Sequence, residues 1–317
     1  MSSRPGFRYA LAVAISIASG AMVALQSRIN GQFGLALGDG STAALISFAS
    51  GLVILTFAMA VSPGARRGFA RIRSEFREGR LPWWAVTGGA GGAFLVLSQG
   101  LAAGILGVAL FTIAVVTGQT VGAILIDARG WFGAIRVRVS ALRLVGTILT
   151  LVGAILALDV LSGSLDGVQV LFVLPVLAGL VTGYQQAVNG RIKRLSGSAI
   201  AATFVNFAVG TTTLAIVTVA FLPFTGGPTA LPEQWWFWTG GAIGTVFIAI
   251  QASTVGIIGV LGMGVSLVTG QLIGSIALDL VIPVATSDVH PITIVGALIT
   301  LLGSIVVTLG RRPTTRG

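Results

Sequence analysis

The chain has no cysteine and one histidine among its 317 residues. Without thiols there can be no disulfide, thiolate metal site or cysteine nucleophile, and the redox compartment leaves no mark. The lone His290 stands beside Asp288 and Pro291, and no H-E-x-x-H, phosphate-cradling glycine loop or carboxylate cluster accompanies it. The converging nucleophiles, bases or ligands that an enzyme needs are therefore missing, and no cofactor or metal is expected. Charge is scarce too: 9% of residues are Asp, Glu, Lys or Arg, against about 25% in an ordinary soluble domain.

What is abundant is apolar. Hydrophobic residues make up 55% of the chain, the composition of an all-α polytopic membrane protein. Its 45 glycines would weaken isolated soluble helices, but in lipid they let helix backbones approach closely. The net charge of +10 is spread between apolar runs rather than gathered in one soluble patch, which argues against a nucleic-acid partner.

Crossing the ~30 Å hydrocarbon core takes about 20 helical residues. Ten apolar runs approach that length: Tyr9 to Ile29, Thr42 to Val61, Trp83 to Ala102, Leu106 to Ile126, Ala141 to Leu158, Val168 to Val188, Ala199 to Phe221, Trp235 to Val255, Val260 to Ile282 and Ile292 to Leu309. Breaks at Gly104 to Gly107 and Gly256 to Gly259 divide two stretches too long for single spans. Arg4 and Arg8 before the first run have the look of a signal peptide. That run nevertheless aligns with the sixth, so it is expected to belong to the mature unit.

The alignment is internal. Gly20, Gln26, Asn30 and Gly31 meet Gly179, Gln185, Asn189 and Gly190 at a constant offset of 159, which extends to Phe48 with Phe207 and Gly51 with Gly210. A second block, at an offset of 152, pairs Trp83 and Trp84 with Trp235 and Trp236, Gln99 with Gln251, and the Thr117-Gly118-Gln119 stretch with Thr269-Gly270-Gln271; it ends on Asp127 with Asp279. Five spans match five spans, predicting two repeats, residues 1–162 and 163–317. An odd number of spans per repeat turns the second upside down relative to the first. A cytoplasmic N-terminus then leaves only Arg28 of the 19 basic residues outside, as the positive-inside rule prefers.

The polar residues of the repeats are the candidate site. Thr117, Gln119, Thr269 and Gln271 fall mid-span, where an unpaired polar side chain must face protein or a wet cavity. They either line a substrate cavity or bond neighbouring helices beside glycines at GxxxG spacing. Tyr184, inside the sixth span, and Asn206, which replaces Ser47 across the repeat, are further cavity candidates. Gln26, Asn30, Gln185 and Asn189, at span ends with a glycine after each asparagine, read as helix-end or gating devices. Gln99 and Gln251 precede glycine-rich breaks, where freed backbone groups need partners. Asp127 and Asp279 close equivalent spans on opposite faces. Each is a candidate entry group or proton site; the structural alternative is an interfacial pair with Arg129 for Asp127 and a helix-end or re-entrant position for Asp279. Arg28 is expected to snorkel to the interface, and the tryptophans at span starts to anchor there.

The QxxxNG stretches, the (I/V)xFxxG at Ile46 to Gly51 and Val205 to Gly210, and the duplicated TGQxxG resemble the YdcZ-like family of the drug/metabolite transporter superfamily. Nearly the whole chain takes part, in what looks like a fused, ten-span form of a unit that elsewhere occurs as separate five-span proteins. The resemblance implies two intertwined, inverted five-helix halves around a central cavity. Small multidrug-resistance relatives in that superfamily use a glutamate in the first span; this first span has no acid, so antiport of cationic drugs is not expected. The functional expectation is a secondary transporter exporting a small organic solute, with a non-transporting scaffold or assembly subunit as the alternative. The expected setting is the bacterial cytoplasmic membrane, both termini inside, with solute, lipid and further copies of the chain as partners.

Overall fold

The computed structural model describes residues 5–133, 138–158, 167–228, 231–283 and 290–310. Arg4, Arg136, Asp288, Arg311, Arg312 and Arg316 lie outside them. Among the described residues the regular structure is helical: α1 (Pro5–Leu37), α2 (Gly40–Val61), α3 (Pro63–Arg77), α4 (Gly88–Leu106), α5 (Val108–Arg129), α6 (Ala141–Ala157), α7 (Gly167–Ser196), α8 (Ala199–Thr225), α9 (Gly240–Val281) and α10 (Pro291–Leu309). The chain is an all-α membrane protein. Eight helices among the described residues are long and apolar enough to cross a bilayer, and the 17-residue α6 falls just short of that length.

Local chemistry sets the boundaries. Asp39 caps α2 by accepting from the backbone N–H groups of Ser41 at 2.9 Å and Thr42 at 3.2 Å. Burial works to raise its pKa, but the hydroxyl and backbone donors of Ser41 and Thr42 prevail and hold it below the ordinary aspartate value. Ser62, Ser140 and Ser198 cap α3, α6 and α8 in the same manner. Gly107, at φ 78° and ψ 157°, separates α4 from α5 in a conformation that glycine alone adopts without strain. A π-turn at Gln99–Ala103 interrupts α4 just before it.

The predicted break at Gly256 to Gly259 takes another form. Helix α9 is assigned as one 42-residue run, yet its two ends meet the same end of α1: Gly240 lies against Asn30, and Asp279 pairs with Arg28. A straight helix would hold those positions roughly 58 Å apart. The chain therefore doubles back inside α9. Thr254 Oγ1 reaches Met263 Sδ at 3.9 Å across nine residues, and Ile258 and Met263 share a cluster with Ala12, which puts the reversal between Thr254 and Met263. The eighth and ninth predicted spans are the two arms of this hairpin.

Helix packing repeats at the sequence offsets. A Cβ on Gly118 would come within 2.8 Å of the Leu180 backbone nitrogen, and one on Gly270 within 3.0 Å of the Ala21 nitrogen, 159 residues earlier than Leu180. Helix α7 is thus pressed into α5, and α1 into the second arm of α9. Helices α6 and α10 cross through Gly146 with Gly303 and Gly153 with Gly296. Phe48 and Phe207 stack on each other with centroids 4.8 Å apart. Small residues fill these seams, while Val53, Phe57, Ile148, Ile216 and Phe224 are exposed. This reversal of a soluble protein's pattern suits a lipid surround.

Outside the spans, α3 packs its Ala65, Gly68 and Ile72 face on the junction of α7 and α8; its arginines are exposed, with Arg71 reaching back to the Leu195 carbonyl at 3.4 Å. Arg80 bonds Glu75 and Glu78; the hydrogen bond from Arg80 draws the Glu75 carboxyl below its usual range. Trp83 and Trp235, in single 3-10 turns ahead of α4 and α9, are strongly exposed, as interfacial anchors would be.

Candidate functional site

A cavity of about 350 Å³ is lined by residues of α1, α2, α4, α5, α7, α8 and α9. Phe48 and Phe207 form one wall, with Phe247 and Met263 nearby. The polar lining is mainly carboxamide, six glutamines and two asparagines beside Thr182 and Thr203, with Lys193 the one charged residue among the described lining residues. The lining runs from Lys193, Ala199 and Thr203 at one end, hereafter the Lys193 end, to Gln26 and Gly244 at the other. Beyond Gln26 the core is closed. Asn30 and Phe33 are 0% exposed there, and Gln99 1%. That side is the Arg28 end.

The predicted site residues separate into two sets. Gln119, Gln271 and Asn206 line the cavity, as do Gln26, Gln185, Asn189 and Gln251 from the helix-end group. Gln271 is 4% exposed, and its Oε1 is buried with no hydrogen-bond partner. Asn206 accepts from Gln185 Nε2 at 3.4 Å and donates to Asn189 Oδ1 at 3.0 Å, so three amides form a chain along the wall.

Thr117, Thr269 and Tyr184 are not lining residues. Each threonine hydroxyl donates to the carbonyl four residues earlier, Ile113 and Val265, both at 2.8 Å, which satisfies it within its own helix. Tyr184 turns its hydroxyl to the Trp84 carbonyl at 2.7 Å and to Thr87 Oγ1 at 2.6 Å, with its ring edge-on to Phe132. Asn30 and Gln99 are also outside the cavity: Asn30 Nδ2 donates to Gln99 Oε1 at 2.7 Å, and Gln99 Nε2 to Ser27 Oγ at 3.0 Å, in the closed core.

The acids stand apart from the cavity. Asp127 pairs with Arg143 at 2.9 Å rather than with Arg129, whose guanidinium lies over the Trp131 ring. Asp279 accepts from the first backbone N–H groups of α5, Val108 at 3.1 Å and Ala109 at 2.6 Å, and faces Arg28 at 3.4 Å. Arg28 does not snorkel. It is 6% exposed and also donates to the Leu278 carbonyl at 3.3 Å. The N-terminus left free by the Gly107 break and the α1 arginine thus meet on one carboxylate.

Glycines missed in the sequence are what the QxxxNG residues dock on. Gln26 Nε2 donates to the Gly240 carbonyl at 2.8 Å. A Cβ at Gly244 would stand 2.7 Å from that same nitrogen, and one at Gly88 would stand 2.9 Å from Asn189 Oδ1. The signal was legible: TGGAGG from Thr87 and TGGAIG from Thr239 recur at the offset of 152. Lys193 and Gln186 in the lining carried no such mark.

The family model described as "Putative inner membrane exporter, YdcZ" matches residues 11–156 and 170–306. The chain belongs to the YdcZ family. It is accordingly a multi-pass inner-membrane protein of an exporter family, of the drug/metabolite transporter type. No curated protein matches the chain.

Proposed function

We propose that this YdcZ-family chain is a secondary exporter of a small organic solute. It works by alternating access, with residues 1–162 and 163–317 as inverted halves around the cavity. One observation carries the reading: two repeat-related amide sets are in unequal states. At the Arg28 end Asn30, Gln99 and Ser27 are bonded and buried. Their counterparts at the Lys193 end, Asn189, Gln251 and Gln186, line the cavity, and Asn189 bonds Asn206 instead. Inverted halves can exchange two such arrangements, closing one end as the other opens.

Positive-inside threading makes the Lys193 end cytoplasmic, so the cavity is open to the side from which an exporter loads. The Arg28 to Asp279 pair ties α1 to α9 across the halves at the closed end. In this reading it is the clamp that must release on the way to the outward state. Asp127, held by Arg143 within one half, has no such role.

Cysteine pairs test the exchange. With Asn30→Cys and Gln99→Cys, disulfide formation should dominate in the resting protein in proteoliposomes and block flux. With Asn189→Cys and Gln251→Cys, it should rise during turnover. Cross-linking of the second pair that never appears under turnover would remove alternating access. Absence of flux for any solute, with a stable stoichiometric complex on another membrane protein, would favour a scaffold. Thiol labelling near Arg73 and Lys193 should be cytoplasmic at both; opposite labelling would sink the threading.

A further inference from the structure

The chemistry of the cavity wall narrows the solute, given that the cavity is the transport site proposed above. Charge decides first. Among the described residues no Asp or Glu lines the cavity, and the single charged residue, Lys193, is a half-buried cation at one end of it. A cationic solute would leave water without a counter-charge and meet an ammonium, a desolvation that neutral amide dipoles repay poorly. An anion would find Lys193 at that end and no other cation in the lining with Gln119, Gln271 and Gln26.

What remains is hydrogen bonding without charge. Every carboxamide offers two donors and an acceptor with two lone pairs, and the wall carries eight. A hydroxyl has the matching character, donating once and accepting twice. The amide chain from Gln185 through Asn206 to Asn189 holds one wall in a fixed donor and acceptor sense. On the other side, Gln271 Oε1 is an acceptor buried without a partner, a state that costs about 1 to 3 kcal/mol and that a solute hydroxyl would relieve once the amide turns it into the cavity. The stacked Phe48 and Phe207 give the same space an apolar face, suited to the C–H surface of a ring whose edge carries the hydroxyls. The volume, near the lower limit of the ~300 to 1,000 Å³ usual for ligand pockets, suits a solute of about one ring.

We propose that the cavity binds an uncharged, polyhydroxylated solute of monosaccharide size. Its hydroxyls are held by the carboxamides of the two halves, and its apolar face lies on the Phe48 and Phe207 pair.

The test separates binding from transport. Purified full-length protein is titrated, by thermal shift and calorimetry, with uncharged pentoses, hexoses and their polyols, and with the matching amino sugars and sugar acids. At least one neutral compound should bind saturably, and its amino and acid analogues should bind at least tenfold more weakly. Gln271→Leu should weaken the neutral ligand about tenfold, the loss of one satisfied hydrogen bond. Gln271→Asn, which keeps the amide, checks that the effect is not one of folding. Tighter binding of an amino sugar or sugar acid, or no binding by any neutral member in the wild type, overturns the assignment. Flux in proteoliposomes is scored apart: a neutral ligand that binds but is never transported sinks the exporter reading and keeps the ligand class, whereas transport of cations alone does the reverse.

Discussion

Replacing Gly118 by alanine adds one methyl group, but the structure leaves it nowhere to go. The new Cβ would lie 2.8 Å from the Leu180 nitrogen, with the Val176 carbonyl oxygen nearer still. Both are backbone atoms of α7 and cannot rotate aside, so α5 and α7 must part by roughly an ångström. Overpacking of this kind costs about 1 to 3 kcal/mol, while alanine's better helix propensity returns at most about 1 kcal/mol. The net is destabilising. Gly270→Ala should match it, because its Cβ meets Ile17 and Ala21 of α1 in the repeat-related way. Gly264→Ala is the internal control: nothing lies within 4 Å of its Cβ position, so only the propensity gain applies. Thermal unfolding in detergent, followed by tryptophan fluorescence, should show lower midpoints for Gly118→Ala and Gly270→Ala, and an unchanged or higher one for Gly264→Ala. Equal midpoints for all three would refute the claim that these glycines are demanded by backbone contact across the halves.

Three further outcomes are expected. Gln119→Leu with Gln271→Leu should abolish solute flux while the monodisperse yield stays near wild type, because both residues line the cavity; unchanged flux would reassign them to packing. Arg143→Ala takes one guanidinium away from the buried Asp127 and should be destabilising, by at most about 3 to 5 kcal/mol, with Arg143→Met plus Asp127→Leu recovering much of it, as denaturant titration would show. Asp39→Ala should cost about 1 kcal/mol through loss of the α2 cap. The folded pKa of Asp39 is depressed, so its contribution is complete above the unfolded aspartate value and lost as pH falls through the lower folded one. Wild type and Asp39→Ala should therefore differ by a constant amount from pH 5 to 8 and converge only in acid.

Composition and internal repetition sufficed for the class of this protein, because lipid admits only backbones that satisfy their own hydrogen bonds and apolar runs of a set length. The mid-span TGQ and span-end QxxxNG patterns were likewise legible as special positions. Which of them face the cavity was not. Thr117 and Gln119 are two residues apart on one helix, yet the threonine bonds its own backbone and the glutamine lines the cavity. That choice depends on how α5 is rotated against α7, which is set by Gly118 and Gly122 meeting a helix some 60 residues away. Asn30 and Asn189 are equivalent in sequence; one is sealed in a buried amide cluster and the other lines the cavity, because the structure holds the two ends in different states. Charge pairing escaped the sequence for the same reason. Asp279 finds Arg28 and the α5 N-terminus only after the Gly107 break and the α9 hairpin bring three distant segments to one end. The sequence by itself determined that polar groups must be satisfied within an apolar slab; the close helix crossings at glycine decided which would bond to one another and which would be left facing the cavity.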